Sequence, residues 1–375
     1  MRAAPPPPAR RTSQPAGRLT GDSSRAGILP PHLTRVFFNV SGTEACESAV
    51  KLARHATGRQ NVIAFRGGFH GRSLAALALT SSKTAYGTGF GPLPSGLLTT
   101  PFPYCLHCRV PRPAGGCCGE AERSLRELLL EVSAPRDTAA VLIEPILGEG
   151  GYVPPPPGFL RALRRICDEH GMLLMVDEVQ SGVGRTGAWW AVEHEAGVAP
   201  DVLVFAKGIA SGMPLSGIAA RDGLMDKSPP GTMGGTYGAN AVSAAAAVAT
   251  IDAIVDEGML ANAAARGDQL AAGLRAIAAR HPAFSADVRG RGCMVGWEFT
   301  MPAGCGFAGH VTGAAMDEGL LLLTAGWRET IRFIPPINVS QADVATALDM
   351  MTRAFDRAVA TWKGPPPLPR GGQLA

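Results

Sequence analysis

The chain has 375 residues, 46% of them apolar and 18% charged, which fits a folded protein with a sizeable core and excludes an intrinsically disordered one. Its formal charge of +4 is a tail effect, because residues 1–35 carry six Arg against one Asp and the remainder is nearly neutral; this excludes the basic footprint of a nucleic-acid binder. The start is Arg- and Pro-rich rather than apolar, and the longest Ala-rich run, Ala241 to Val255, is broken by Asp252, so neither a secretory signal nor a membrane span is expected.

Residues 1–34, with Pro5 to Pro8, read as a disordered tail. Arg-rich, acid-poor starts also occur in organelle-targeting segments, although the prolines oppose an amphipathic helix. A cytoplasmic location is expected, with a mitochondrial alternative. Arg35–Asn39 reads as a strand leading into Ser41-Gly42-Thr43, and Glu44–Ala56 has the apolar spacing of an amphipathic helix. Asn61–Phe65 is a strand ending at Gly67-Gly68. Ala139–Ile143 is a strand ending at Glu144, Gly158–His170 a helix, Met172–Val176 a strand ending at Asp177, and Asp201–Ala206 a strand ending at Lys207. Such alternation predicts an α/β fold with a mainly parallel sheet covered on both faces, over residues 35–262. Ala239–Arg280 reads as long Ala-rich helices. Strands at Cys293–Phe299, Leu320–Leu323 and Ile331–Ile334 and a helix at Gln341–Ala360 predict a smaller α+β domain over 263–363. Residues 364–375 form a second Pro/Gly-rich tail.

Eight scattered Cys suit a reducing compartment. Cys105, Cys108, Cys117 and Cys118 cluster, with His107 among them. The ligand count suits zinc. The irregular spacing in a Pro/Gly-rich loop favours a surface insertion with free thiols instead, and no metal site is assigned.

In parallel sheets, ligands bind at the carboxyl ends of the strands. Ser41-Gly42-Thr43, opening a helix, offers amides and a positive dipole end to an anion; simple N-capping is the alternative. Asp177 abuts a buried strand, where a carboxylate needs a cation or hydrogen bonds, and a structural ion pair serves as well. Lys207 is one of five Lys, at 51, 83, 207, 227 and 363, and the one that caps an apolar strand. Burial there would free its lone pair for Schiff-base chemistry; a surface Lys is the alternative. Gly182-Val183-Gly184-Arg185-Thr186-Gly187 fits a dinucleotide fingerprint, but four residues separate it from Asp177 and no clear helix follows. A nicotinamide oxidoreductase therefore rests on that motif alone. An anion cradle, a strand-end Asp and a strand-end Lys together match pyridoxal 5′-phosphate.

Seven motifs carry a resemblance over roughly residues 35–360. They are Phe-Phe-Asn-Val-Ser-Gly-Thr-Glu-Ala (37–45), Phe-Arg-Gly-Gly-Phe-His-Gly-Arg (65–72), Glu-Pro-Ile-Leu-Gly-Glu-Gly-Gly (144–151), Asp-Glu-Val-Gln-Ser-Gly-Val-Gly-Arg-Thr-Gly (177–187), Ala-Lys-Gly-Ile-Ala-Ser-Gly (206–212), Gly-Gly-Thr-Tyr-Gly (234–238) and Ile-Arg-Phe-Ile-Pro-Pro (331–336). The sequence resembles a class III aminotransferase, a pyridoxal-phosphate enzyme of fold type I, nearest the 4-aminobutyrate aminotransferase branch.

The resemblance implies that Lys207 joins the cofactor aldehyde and then shuttles a proton, and that Asp177 keeps the ring nitrogen protonated. Gly42 and Thr43 would hold the phosphate, with Thr236 reaching in from the second subunit of a homodimer. Phe69 would stack on the ring beside His70, Val179 would pack on the opposite face, Gln180 would contact the ring hydroxyl, and Glu144 would support the network. Arg72 would grip a carboxylate far from the amine. Arg332 would bind an α-carboxylate and pair with Glu149 when hidden. The implied reaction moves an amino group from an ω-amino acid such as 4-aminobutyrate to 2-oxoglutarate or a similar keto acid. The family carries a longer segment ahead of Ser41-Gly42-Thr43, which forms part of the dimer contact and a wall of the substrate pocket. An amino-acid racemase on the same scaffold and a truncated, non-catalytic homologue are the alternatives.

Overall fold

Runs of aliphatic residues build a central sheet of seven strands. The computed structural model describes Leu19 and residues 27–108, 110 and 117–368. The strands are β1 (Leu33–Asn39), β2 (Asn61–Phe65), β3 (Leu97–Thr100), β4 (Thr138–Ile143), β5 (Leu173–Asp177), β6 (Val202–Phe205) and β7 (Ser216–Arg221). Their order is β1-β7-β6-β5-β4-β2-β3. β6, β5, β4, β2 and β3 run parallel, and β7 runs against both β6 and β1.

The period of two along each strand divides the core between the two faces. Ile63, Phe65, Val141 and Ile143 face one side, packing with Leu125 of α3 (Glu120–Glu131) and Leu163 of α4 (Phe159–His170). Val62, Ala64, Ala140 and Leu142 face the other, against Ala49, Leu52 and Ala53 of α1 (Gly42–Thr57). α1 ends at Gly58, whose φ of 69° allows its N–H to close on Arg54 O. A short helix, α2 (Leu74–Leu79), packs at the β3 edge.

β1 opens at Leu33, ahead of the expected Arg35. Ile28, Leu29 and Leu33 are buried, and the Trp190 indole N–H donates to Ile28 O at 2.7 Å. The expected tail therefore gives way to packed chain over 27–34. Pro30 and Pro31 mask this apolar group in the sequence. The rest of that expected tail, residues 1–18 and 20–26, lies outside the described residues, as does 369–375. Within the second expected tail, Leu368 N–H donates to Thr300 O at 2.8 Å.

The Ala-rich helical stretch divides at Gly258 into α5 (Ala241–Asp256) and α6 (Met259–Arg280). A second, antiparallel sheet follows, in the order β10-β11-β9-β8. Its strands are β8 (Ser285–Arg291), β9 (Met294–Phe299), β10 (Leu323–Thr324) and β11 (Thr330–Phe333). The expected strand Leu320–Leu323 contributes its last residue to β10. α6, α7 (Phe307–Asp317) and α8 (Gln341–Thr361) cover this sheet around Trp297, Phe299, Phe307 and Phe355. Phe299 and Phe355 stack with centroids 5.5 Å apart. Among the described residues, no helix is long and apolar enough to cross a membrane.

Candidate active site

Because β2, β4, β5 and β6 are parallel, their carboxyl ends share one edge of the sheet. β1 delivers the start of α1 to the same edge. A cavity of 430 Å³ opens there. Gly42, Thr43, Phe69, His70 and Arg72 line it from one side, and Glu144, Asp177, Val179, Gln180 and Lys207 from the strand ends. Larger clefts of 680 and 870 Å³ lie elsewhere, but they do not gather these groups.

The start of α1 forms one wall. Glu44 Oε2 accepts the Ser41 N–H at 2.8 Å and the Ser41 hydroxyl at 3.0 Å, which fixes the first turn. A Cβ on Gly42 would stand 3.1 Å from Val179 Cγ1, so a side chain there would press on Val179 where the helix meets the cavity. Thr43 Oγ1 accepts from Arg72 N at 3.2 Å and Ser73 N at 3.1 Å, and shares a proton with Ser73 Oγ at 2.6 Å. Gly71, at φ 132°, permits this: its Cβ would fall 2.2 Å from Thr43 Oγ1.

Asp177 ends β5 and is buried. Its Oδ2 takes His70 Nδ1 at 2.8 Å and Cys46 Sγ at 3.3 Å, and its Oδ1 takes Val179 N–H at 3.0 Å. Burial pulls the His70 pKa down, but the hydrogen bond and charge of Asp177, with Glu144, outweigh it and leave the pKa raised. Burial pushes the Cys46 thiol well up. Glu144 accepts Phe69 N–H and Gly148 N–H, both at 2.8 Å. Burial raises its pKa to about 7, against the pull of His70.

Lys207 follows β6 in the left-handed region, at φ 46°, a strain of about 1–3 kcal/mol that surrounding structure must hold. Its side chain is solvent-accessible in the single chain because it stands in an open cavity. Protein nevertheless crowds it enough that desolvation lowers the amine pKa, against the raising charges of Asp177, Glu144 and Glu149. Gln180 Oε1 is buried without a hydrogen-bond partner. Arg72 stands over the Tyr86 ring, 4.7 Å from its centroid, and Phe69 meets the same ring edge-on at 5.3 Å.

Glu149 and Arg332 form a half-buried ion pair within electrostatic reach of Lys207, but they do not line the cavity. Thr236 is exposed and absent from the cavity of this single chain. Cys46, Gly71, Ser73 and Tyr86 were missed from sequence; an isolated Cys one turn after Gly42 in an Ala-rich helix is the signal for the first. After Gly182–Gly187 the chain enters a short 3₁₀ turn at Ala191–His194 rather than a long helix, so the dinucleotide fingerprint has no helix to receive a pyrophosphate. The cysteine cluster departs from the expected free thiols: Cys108 and Cys118, brought together at the two ends of the loop, form a disulfide, while Cys105 Sγ contacts Cys117 Sγ at 3.5 Å.

The mostly parallel sheet, with its strand-end Lys and Asp and a smaller antiparallel sheet beside it, is that of the fold type I pyridoxal-phosphate-dependent transferases. The family pattern described as Aminotransferase class-III matches residues 14–355. The chain is 40% identical over 320 residues to a 5-aminovalerate aminotransferase of Pseudomonas putida, covering 84% of this chain and 73% of that one. It is 39% identical over 324 residues to the Escherichia coli 4-aminobutyrate aminotransferase, covering 85% and 74%. A solved amine transaminase from an uncultivated Pseudomonas species, in its pyridoxal-phosphate-bound form, superposes with a TM-score of 0.82 at 28% identity, covering 95% and 82%. The chain belongs to the class III aminotransferases and is an aminotransferase.

The family implies pyridoxal phosphate, and the cavity fits it. The fit rests on the bare Gly42 cradle, the orphaned Gln180 oxygen, and an acid and a partly desolvated amine at the ends of neighbouring strands.

Proposed function

We propose that this aminotransferase moves the amino group of an ω-amino acid, such as 4-aminobutyrate or 5-aminovalerate, to 2-oxoglutarate or a similar keto acid. The observation that carries the reading is Lys207, held in a left-handed turn at the open end of β6 beside Asp177 at the end of β5. Two named relatives use such donors. Pyridoxal 5′-phosphate, when bound, supplies an aldehyde for amine exchange and a ring that draws electrons.

The residues divide the work by position. Gly42 and Thr43 hold the phosphate at the positive end of α1. Thr236 of a second subunit completes this site in a homodimer. Asp177 holds the ring nitrogen, steadied by His70 and Cys46. Phe69 and Val179 sandwich the ring, Gln180 offers its unpartnered amide oxygen to the ring hydroxyl, and Glu144 fixes Phe69 and Gly148.

Lys207 Nζ, whose pKa desolvation lowers, takes the proton from the amine-bearing carbon. Arg72 binds the distant carboxylate of the ω-amino acid. Arg332 pairs with Glu149 in that half-reaction and releases to bind the α-carboxylate of the keto acid.

The test is purification with cofactor and a donor panel with and without 2-oxoglutarate. Amine transfer from ω-amino acids that requires the keto acid is expected. Racemisation without a keto acid overturns the reading, as does the absence of cofactor binding. Lys207→Ala should abolish turnover and covalent capture of the cofactor by borohydride.

A further inference from the structure

We propose that Cys105, Cys108, Cys117 and Cys118, once a low-molecular-weight thiol has reduced the Cys108–Cys118 disulfide, form a tetrathiolate site for one zinc ion. The four sulfurs come from two short segments. Cys105 and Cys108 bracket a 3₁₀ turn, Cys105–His107, and Cys117 and Cys118 stand just ahead of α3. Cys105 Sγ lies 3.5 Å from Cys117 Sγ. The sulfurs of Cys105, Cys108 and Cys118 all lie within 4.8 Å of one another. A tetrahedron with Zn–S bonds of about 2.3 Å has sulfur–sulfur edges of about 3.8 Å. Cys117 stands outside that close trio and meets Cys105, so the four reach this arrangement when Cys108 and Cys118 part and the Cys117 side chain swings toward them.

The surroundings favour thiolates. Gly119, the N-cap of α3, donates its N–H to Cys117 Sγ at 3.4 Å, an outer bond of the kind that orients a metal-bound sulfur. The positive end of α3 faces the same sulfurs. Arg66 and Arg328 line the 370 Å³ cavity that Cys108 and Cys118 also line, though Glu120 shares it. All four cysteines are half-buried, so an ion can reach them. Soft thiolates select zinc over calcium or magnesium.

The loop is anchored on the far side. Tyr104 donates to Glu298 of β9, His107 Nε2 meets Glu298 Oε1 at 2.5 Å, and Arg289 of β8 meets Glu298 Oε2 at 2.8 Å. Arg289 also donates to Gly151 O at 2.8 Å, two residues beyond Glu149. The metal thus fastens a loop that joins the smaller sheet to the segment carrying Glu149, a structural role away from the reacting atoms.

The chemistry balances in two steps. Two thiols reduce the disulfide, giving two cysteine thiols and one external disulfide. Zinc then replaces four thiol protons, leaving a complex of charge −2 and releasing those protons to solvent.

The test uses the cofactor-loaded, full-length chain, reduced with dithiothreitol and desalted without oxygen. Cobalt(II) is titrated first, then zinc(II). Uptake of one cobalt per chain is expected, with the visible bands of a tetrahedral site and intense sulfur charge-transfer absorption. Equimolar zinc should displace it. Cys117→Ser should lower the charge-transfer intensity by about a quarter or abolish uptake. Cys46→Ala should leave the spectrum intact, since Cys46 belongs to the separate Cys46–His70–Asp177 group. No stoichiometric uptake by the wild-type chain overturns the proposal, whatever the variants do. So does a disulfide that resists dithiothreitol, or a cobalt spectrum lost in Cys46→Ala but kept in Cys117→Ser.

Discussion

His70 Nδ1 stands 2.8 Å from Asp177 Oδ2, with both side chains buried. The contact ties the loop after β2 to the end of β5. A buried acceptor that loses a donor costs about 1–3 kcal/mol. His70→Ala should therefore weaken cofactor affinity by roughly tenfold or more, read by titrating the apoprotein with cofactor. An unchanged Kd would remove His70 from the support of Asp177.

The same pair sets a pH dependence. The folded-state pKa of His70 lies above its ordinary value, near 6.5. The folded chain thus holds that proton more tightly than the unfolded chain, and the resulting stability is fully present below about pH 6.5 and lost as pH rises through the raised value. In the apoprotein, the Tm gap between wild type and His70→Ala should be widest near pH 6 and narrow with rising pH. A gap that widens instead contradicts the direction of the shift.

Glu178 acts in the same direction from a different cause. Burial raises its pKa to about 7, although Ser181 Oγ and Val192 N–H both donate to it. Unfolded glutamate releases its proton near pH 4.3. Unfolding between these values releases a proton, so stability falls as pH rises from about 4.3 to about 7 and then levels. The shift corresponds to roughly 4 kcal/mol. Glu178→Gln should flatten that part of the Tm–pH curve; an unaltered slope assigns the titration to other groups.

Much of this was legible in sequence. β4, β5 and β6 are continuous apolar runs ended by Glu144, Asp177 and Lys207, and each end brought that residue to the cavity, whereas β2 contributes through the loop after it, with Phe69, His70 and Arg72. β7 was missed because Ser-Gly-Ile-Ala-Ala-Arg lacks the bulk of a buried strand; a Cβ on Gly217 would fall 2.6 Å from Phe37 O and 2.7 Å from Phe205 Cζ. β8 was missed because Ser-Ala-Asp-Val-Arg-Gly-Arg is an edge strand with little apolar character. Site residues carried by loop geometry, such as Gly71 and Ser73, have no periodic signature. The Asp177–Cys46 contact spans 131 positions, and no local pattern encodes it.

Gly71 tests that loop geometry. Ala at φ 132° is strained, and its Cβ would overlap Thr43 Oγ1. Thr43 would then lose its bonds from Arg72 N and Ser73 N. Gly71→Ala should reduce phosphate-dependent cofactor affinity by about tenfold or more while sparing affinity for pyridoxal, which lacks the phosphate. Equal losses for both compounds would indicate general damage to the loop.

Arg72 lines the cavity while leaning on the Tyr86 ring. A guanidinium–carboxylate bond contributes about 1.5–3 kcal/mol. Arg72→Ala should lower kcat/KM for 4-aminobutyrate by about 10- to 100-fold, and that for a simple amine without a carboxylate by less than about threefold. Equal losses on both donors would leave Arg72 with no part in carboxylate selection.

Glu149 tests how one site serves two substrates. Its pairing with Arg332 occupies the guanidinium that, under the proposed function, would bind an α-carboxylate. An ω-amino acid has no carboxylate near its amine, so an unpaired Arg332 would face an apolar stretch of substrate, at a desolvation cost. Under the proposed function, a keto acid such as 2-oxoglutarate would supply its own carboxylate and displace Glu149. Removing Glu149 therefore harms one half-reaction selectively. Glu149→Ala should lower kcat/KM for 4-aminobutyrate by about tenfold or more, leave the keto-acid half-reaction nearly unchanged, and shift preference toward α-amino acids. Single-turnover measurements of each half-reaction separate these effects. If both fall together, Glu149 acts by holding Arg332 in place, and the switching role belongs to another residue.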